Sequence, residues 1–150
     1  MATDDPESRG DDAALRDLIT RHEGRRAFPY HDSRGILTIG VGRNLRDRGL
    51  GEDEIDLLLT NDIALARDDC RRLFASRFTA ASWPRQAALM SMAFNLGAPR
   101  LAGFRRMRDA IACDDWQLAA TEALDSRWAA QTGRRAQHIA GMLRGGGTSG

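Results

Sequence analysis

The sequence contains no lysine, so all 22 of its basic side chains apart from the histidines are arginine. It holds only two cysteines, Cys70 and Cys113, and a single tyrosine, Tyr30. Both cysteines fall in segments that read as helical, with no metal-ligand spacing around them. Two buried free thiols are therefore expected, a disulfide between them being the alternative. His22, His31 and His138 form no ligand pattern either. No apolar run approaches the roughly 20 residues a membrane helix needs, so no stable membrane insertion is expected. The first residues, MATDDPESRGDD, lack the basic start and apolar stretch of a secretory signal. A start in a cytoplasm is the expectation.

What is present is ordinary for a globular protein: 150 residues, 42% hydrophobic and 29% charged. That length suffices for one compact domain or two small lobes sharing a core. The net charge of +1 is unevenly spread. Residues 1–12 carry five acids against Arg9, a balance of −4, so the rest of the chain carries +5. Arginine doublets recur at Arg25–Arg26, Arg71–Arg72, Arg105–Arg106 and Arg134–Arg135. Such a body suits an anionic polymer, but solvated helix faces explain most of these arginines equally well. No nucleic-acid motif accompanies them, and no nucleic-acid partner is expected.

Residues 1–12 read as a disordered acidic leader. From Asp12, a candidate N-cap, Leu15, Leu18, Ile19 and His22 repeat at helical spacing until Gly24 supplies a stop. Residues 28–42, FPYHDSRGILTIGVG, change texture. Aromatic and β-branched residues around a Ser-Arg-Gly turn predict a hairpin, with strands Phe28–Asp32 and Ile36–Val41 and a turn at Ser33–Gly35. Pro29 suits an edge strand. A long helix is predicted from about Glu52 to Phe74, on the period of Ile55, Leu58, Leu59, Asp62, Ile63, Ala66, Cys70 and Leu73. Three acids open it and two arginines close it, complementing the helix dipole. Trp83-Pro84 opens another helix, with proline in the first turn, which ends at Gly97-Ala98-Pro99. Shorter helices follow at about 100–112, 115–125 and 134–143, and residues 145–150 read as a flexible glycine-rich tail. No internal repeat is present. The fold class is α+β: a small hairpin lobe and a larger helical lobe joined by a long helix, with a cleft expected between the lobes.

Glu23 ends the first helix and immediately precedes the hairpin. A carboxyl kept partly desolvated at such a junction would hold its proton near neutral pH and could serve as an acid. Asp32 sits nine residues on, at the hairpin turn, and Thr38 lies in the return strand. Two carboxyls facing one bond, with a hydroxyl to hold a water, are what glycoside hydrolysis needs. The carboxyl spacing alone is weak, since surface carboxylates are common. The glycines Gly35, Gly40 and Gly42 could serve hairpin geometry alone. GVG is no phosphate loop, lacking both the Lys-Ser/Thr pair and the G-x-G-x-x-G spacing.

The longer pattern is more specific. The stretch HEGRRAFPYHDSRGILTIGVGRNL resembles the signature of the phage-type lysozymes and endolysins, glycoside hydrolase family 24. In that family the pattern runs HEG-x-R-x-x-x-Y-x-D-[ST]-x-G-x-x-T-I-G-x-G. The segments AFNLG (Ala93–Gly97) and SRWAAQTGRRA (Ser126–Ala136) resemble further family elements. The resemblance covers roughly residues 13–144. It implies a lysozyme-like fold with Glu23, Asp32 and Thr38 as the catalytic set, and no metal or cofactor. It also implies that Arg135 reaches toward the catalytic glutamate and that Phe94 lines the substrate site. Asn44 and Arg43 stand at the lip of the expected cleft, where Asn44 is a candidate sugar contact. Trp116 and Trp128 are expected in the core. Compared with the T-even phage members, the stretch between GVG and the long helix is much shorter, which implies a smaller β lobe. Arg43 stands where those members have histidine.

The resemblance implies a muramidase, cutting the β-1,4 bond between N-acetylmuramic acid and N-acetylglucosamine in peptidoglycan, with inversion. The expected setting is a monomeric endolysin, held in the host bacterial cytoplasm until a holin releases it to the wall. The alternatives are a lytic transglycosylase, against which the retained Asp32 and Thr38 argue, and a non-catalytic wall-binding or virion lysozyme module.

Overall fold

A computed structural model describes residues 6–146. Two compact units divide the chain, Met1–Ile55 and Asp56–Gly150. Among the described residues the protein is mostly helical with one small antiparallel sheet, an α+β fold of lysozyme type.

In the first unit, α1 spans Pro6–Glu23. It begins six residues before the expected cap at Asp12 and so takes in residues 6–12 of the expected leader; residues 1–5 lie outside the described part. Pro6 tolerates a first helical turn because its missing N–H would have no partner there. The helix ends as expected: Gly24 takes φ +75° and its N–H donates to the Thr20 carbonyl at 2.9 Å. Strands β1 (Arg26–His31) and β2 (Leu37–Gly40) then form the expected hairpin around the Ser33–Gly35 turn. The pairing shifts register between Arg26 and Tyr30. Pro29 lies in that stretch, where it has no N–H to give the ladder. A third strand absent from the sequence reading, β3 (Arg43–Asn44), pairs with β2 and completes the order β1-β2-β3. The smaller β region implied by the short stretch after Gly42 is this two-residue strand and the loop to Gly51.

Helix α2 runs Glu52–Phe74, as its period predicts. Only Ala66, Cys70 and Phe74 of it are buried, because the core of the second unit starts at that level of the helix. A short α3 (Ser76–Thr79) follows, then α4 (Trp83–Leu96), which carries the core residues Leu89, Met92, Ala93 and Leu96. The helix expected at 100–112 is two, α5 (Ala98–Ala102) and α6 (Arg105–Ala112), broken at Gly103–Phe104. After α7 (Trp116–Leu124) comes α8 (Arg127–Thr132), also unforeseen, and then α9 (Arg134–Leu143). Asp115 and Ser126 cap α7 and α8, accepting from the N–H groups of Leu118 and Ala129 at 2.9 and 3.0 Å.

Leu89, Met92, Leu101, Met107, Ile111 and Leu143 are fully buried and form the centre of this unit. Trp116 and Trp128 join them, as expected. Cys70 is buried, and burial pushes its thiol up to about 12, which keeps it an inert thiol. Cys113 departs from expectation: it is a free thiol, but it caps the end of α6 and is exposed. The expected tail is described only as far as Gly146, and residues 147–150 lie outside the described part.

Candidate active site

The first unit brings Glu23, Asp32 and Thr38 onto one small scaffold. Asp32 opens the turn between β1 and β2. Its Oδ1 accepts the N–H groups of Arg34 and Ile36 at 2.8 and 2.9 Å. Its backbone closes the same turn: Asp32 N–H donates to the Ile36 carbonyl, and Gly35 N–H to the Asp32 carbonyl. Gly35, at φ +74°, is the residue type this turn requires. The hydrogen bond from Ile36 N–H, reinforced by that from Arg34 and by the positive charges of Arg34 and Arg46, holds the Asp32 carboxyl below the usual carboxylate range. Asp32 is therefore a carboxylate at neutral pH. Its other oxygen, Oδ2, has the Arg34 guanidinium at 3.7 Å, beyond hydrogen-bond reach.

Thr38 is the one polar residue buried among the described residues. Its Oγ1 donates to the Ile36 carbonyl at 2.9 Å. Ile36 therefore fixes both partners, its N–H on Asp32 and its C=O on Thr38. With its proton committed, the Thr38 hydroxyl can only accept from any further partner. Thr38 faces Tyr30 on one side and Asn44 on the other, so these three side chains share one face of the sheet. The Arg26 guanidinium lies over the Tyr30 ring, 4.4 Å from its centroid.

Glu23 reaches the sheet through a glycine. A methyl group at Gly42 would come within 2.9 Å of Glu23 Oε2 and 3.1 Å of its Cδ, so the carboxyl rests against the bare backbone between β2 and β3. Gly42 also takes φ +68°. Gly42 therefore serves more than hairpin geometry: it also makes room for the glutamate. Within this unit Glu23 is exposed on its other sides.

Arg43 and Asn44 are engaged locally. Arg43 forms a two-pronged pair with Glu54, and its Nη1 also donates to the Gly49 carbonyl at 3.1 Å. Glu54 in turn accepts the Gly51 N–H at 2.7 Å. Together these bonds tie β3 to the first turn of α2. The Arg43 hydrogen bond, followed by that of Gly51, lowers the Glu54 carboxyl to about 2. The Asn44 amide is spent on Asp47, donating to its carboxylate and accepting its N–H, each at 2.9 Å. Asn44 thus shapes the loop 44–48. No local pattern marks Arg43 and Glu54 as partners, eleven residues apart.

In the second unit, Phe94 and Arg135 line a groove of about 310 Å³ that also includes Trp83, Met90 and Ser91. Phe94 is 49% exposed, an aromatic face open to a ligand. Arg135 Nη2 donates to the Ser91 Oγ and carbonyl at 3.2 and 3.3 Å, which anchors α9 on α4. Trp128 belongs to the frame: its indole N–H donates to Asn95 Oδ1 at 2.8 Å.

The signature that carries Glu23, Asp32 and Thr38 is part of a longer match, because residues 20–144 fit the family model described as phage lysozyme. The chain belongs to the phage lysozyme family. That family consists of lysozyme-type glycoside hydrolases. Among relatives, the chain is 26% identical to the pre-baseplate central spike protein Gp5 of Enterobacteria phage T4, over 84% of its own length and 27% of that protein. It thus spans about a quarter of the spike protein. It is 21% identical to probable T4-type lysozyme 2 of Dictyostelium discoideum, over 89% of its own length and 95% of the relative. Among the described residues, no helix is long and apolar enough to cross a membrane.

Proposed function

We propose that the chain is a muramidase that hydrolyses the β-1,4 bond between N-acetylmuramic acid and N-acetylglucosamine in bacterial peptidoglycan. The observation that carries this reading is the Ile36 clamp. It holds an ionised Asp32 and an accept-only Thr38 hydroxyl on one hairpin, while Glu23 rests on Gly42 of the same sheet. Glu23 acts as the acid, giving its proton to the glycosidic oxygen as the bond to the anomeric carbon breaks. A water forms the new bond to that carbon. Asp32 Oδ2 takes one of its protons and the Thr38 hydroxyl accepts the other as a hydrogen bond, so a lone pair points at the sugar. This set needs no metal or cofactor. Catalysis by displacement through water inverts the anomeric configuration.

Phe94 and Arg135 serve as glycan contacts, one as an apolar face and the other as a cation beside it. Asn44 serves through the loop that it shapes. The biological setting we propose is a monomeric endolysin, held in the host cytoplasm and freed to the wall by a holin. The likeness to a T4 spike protein favours a second setting, in which the same hydrolase works as part of a virion.

The test is clearance of purified peptidoglycan by wild type and by Glu23→Gln, with mass analysis of the products. Acid catalysis contributes about 10²–10⁴ in rate, so the variant should lose at least that lower figure. Reducing muramic ends support hydrolysis; 1,6-anhydro ends, or a Glu23→Gln protein as fast as wild type, would overturn the proposal.

A further inference from the structure

One cavity of the second unit takes no part in the chemistry above. It has a volume of about 550 Å³ and its wall includes Phe104 and Trp128, whose rings meet edge to face at 6.2 Å. Four arginines line it, Arg100, Arg105, Arg106 and Arg127, against two carboxylates, Glu122 and Asp125, an excess of two positive charges. Arg106 is 4.0 Å from Glu122. Among the described residues, Arg100, Arg105 and Arg127 have no carboxylate within ion-pair distance, although all three are exposed and converge on one volume. The start of α6 opens on the same cavity. Its first turn holds no acid, and Phe104 at its N-cap offers no side-chain acceptor, so its positive end adds to the field of the arginines.

We propose that this cavity is an accessory binding site for a phosphate-bearing saccharide, such as a phosphorylated sugar or a phosphodiester-linked repeat of a wall glycopolymer. Two features select this chemistry. A single guanidinium fork satisfies both oxygens of a carboxylate, whereas three unpaired forks present more donors than one carboxylate can accept. A phosphomonoester, with three terminal oxygens and up to two charges, or two successive phosphodiesters with one charge each, matches both the donors and the excess charge. The cavity is also several times larger than a bare phosphate, and the half-buried Phe104 ring in its wall gives the attached sugar an apolar edge to cover. The site would hold the protein on a phosphorylated wall while hydrolysis proceeds elsewhere. It is independent of the muramidase reading, since binding is measured without turnover.

The experiment is titration of the full chain with glucosamine 6-phosphate, a glycerol phosphate dimer, inorganic phosphate, glutarate, N-acetylglucosamine and a short DNA strand. Calorimetry is read beside backbone amide shifts. The expected result is that the sugar phosphate or the dimer binds more tightly than inorganic phosphate and moves the amides of residues 103–107 and 126–128. Which of the two binds better tells phosphomonoester from phosphodiester. The paired change Arg100→Gln and Arg105→Gln should weaken that binding at least about tenfold, as loss of charge-assisted hydrogen bonds does. Arg134→Gln, an exposed arginine outside the cavity, should not. Glutarate or DNA binding as tightly as the phosphorylated ligands would overturn the proposal. So would inorganic phosphate binding as tightly as they do, an equal loss in Arg134→Gln, or amide shifts that leave residues 103–107 and 126–128 unmoved.

Discussion

The two units divide the work of the molecule unevenly. In the first, Ile36 and Thr38 are the only residues buried among those described. In the second, a continuous core runs from Ala66 to Leu143. The proposed chemistry sits where the core is thinnest. There, side-chain position is set by backbone hydrogen bonds and glycine contacts rather than by packing. A carboxylate held by two N–H groups, or a hydroxyl bound to a carbonyl, is fixed in direction while one side stays open to water. A packed core fixes a side chain by surrounding it, which would close such a site. The first unit should therefore be sensitive in activity and the second in stability.

Gly42→Ala is the sharpest way to break that division. The added methyl would fall 2.9 Å from Glu23 Oε2, at a residue with φ +68°, so the carboxyl must move. A misplacement of about 1 Å can cost 10²-fold in rate. We expect wall clearance to fall by about that factor, while the thermal midpoint shifts far less than in a core variant. An active Gly42→Ala protein would mean that the Glu23 position is not set by this contact.

Leu89→Ala probes the other side. Leu89 is fully buried, and Leu-to-Ala changes in cores cost about 2–5 kcal/mol. Denaturant unfolding should show a loss in that range, while clearance per folded molecule at low temperature stays near wild type. A collapse of activity in protein that is still folded would show that the two units are not separable in this way.

A smaller effect is expected from Glu54→Gln. The folded carboxyl lies at about 2, below its ordinary value of 4.5, so its pairing with Arg43 stabilises the protein above about pH 4.5. That contribution is lost as pH falls from there toward 2. Glu54→Gln should therefore be less stable than wild type at pH 6 and converge with it near pH 2 in acid-unfolding curves. Parallel curves across that range would contradict the pairing. Asp32, also depressed by its N–H partners, contributes with the same sign.

The same division explains what could be read in the sequence. The long helix was legible to its end residues, Glu52 and Phe74, because its apolar period and terminal charges agree. Glu23, Asp32 and Thr38 were legible as a set only through the family signature. Their spacing alone carries little, since surface carboxylates are common. Strand β3 was not legible, for Arg43-Asn44 has neither length nor alternation, and its pairing depends on β2 beside it. The early start of α1 was hidden by Gly10 and an acid-rich segment, both poor helix signals. The break between α5 and α6 was hidden because Gly103 lies in otherwise helical composition. What supports the site, the Ile36 clamp, the Gly42 contact and the Arg43–Glu54 tie, is tertiary and leaves no period to find.

The central claim is that Asp32 and Thr38 hold a water rather than that Asp32 attacks the sugar. Proton NMR of fresh product from a defined peptidoglycan fragment, recorded before mutarotation, tests it most directly. The account predicts the α-anomer first. A β-anomer formed first, or a sugar trapped on Asp32, would contradict it.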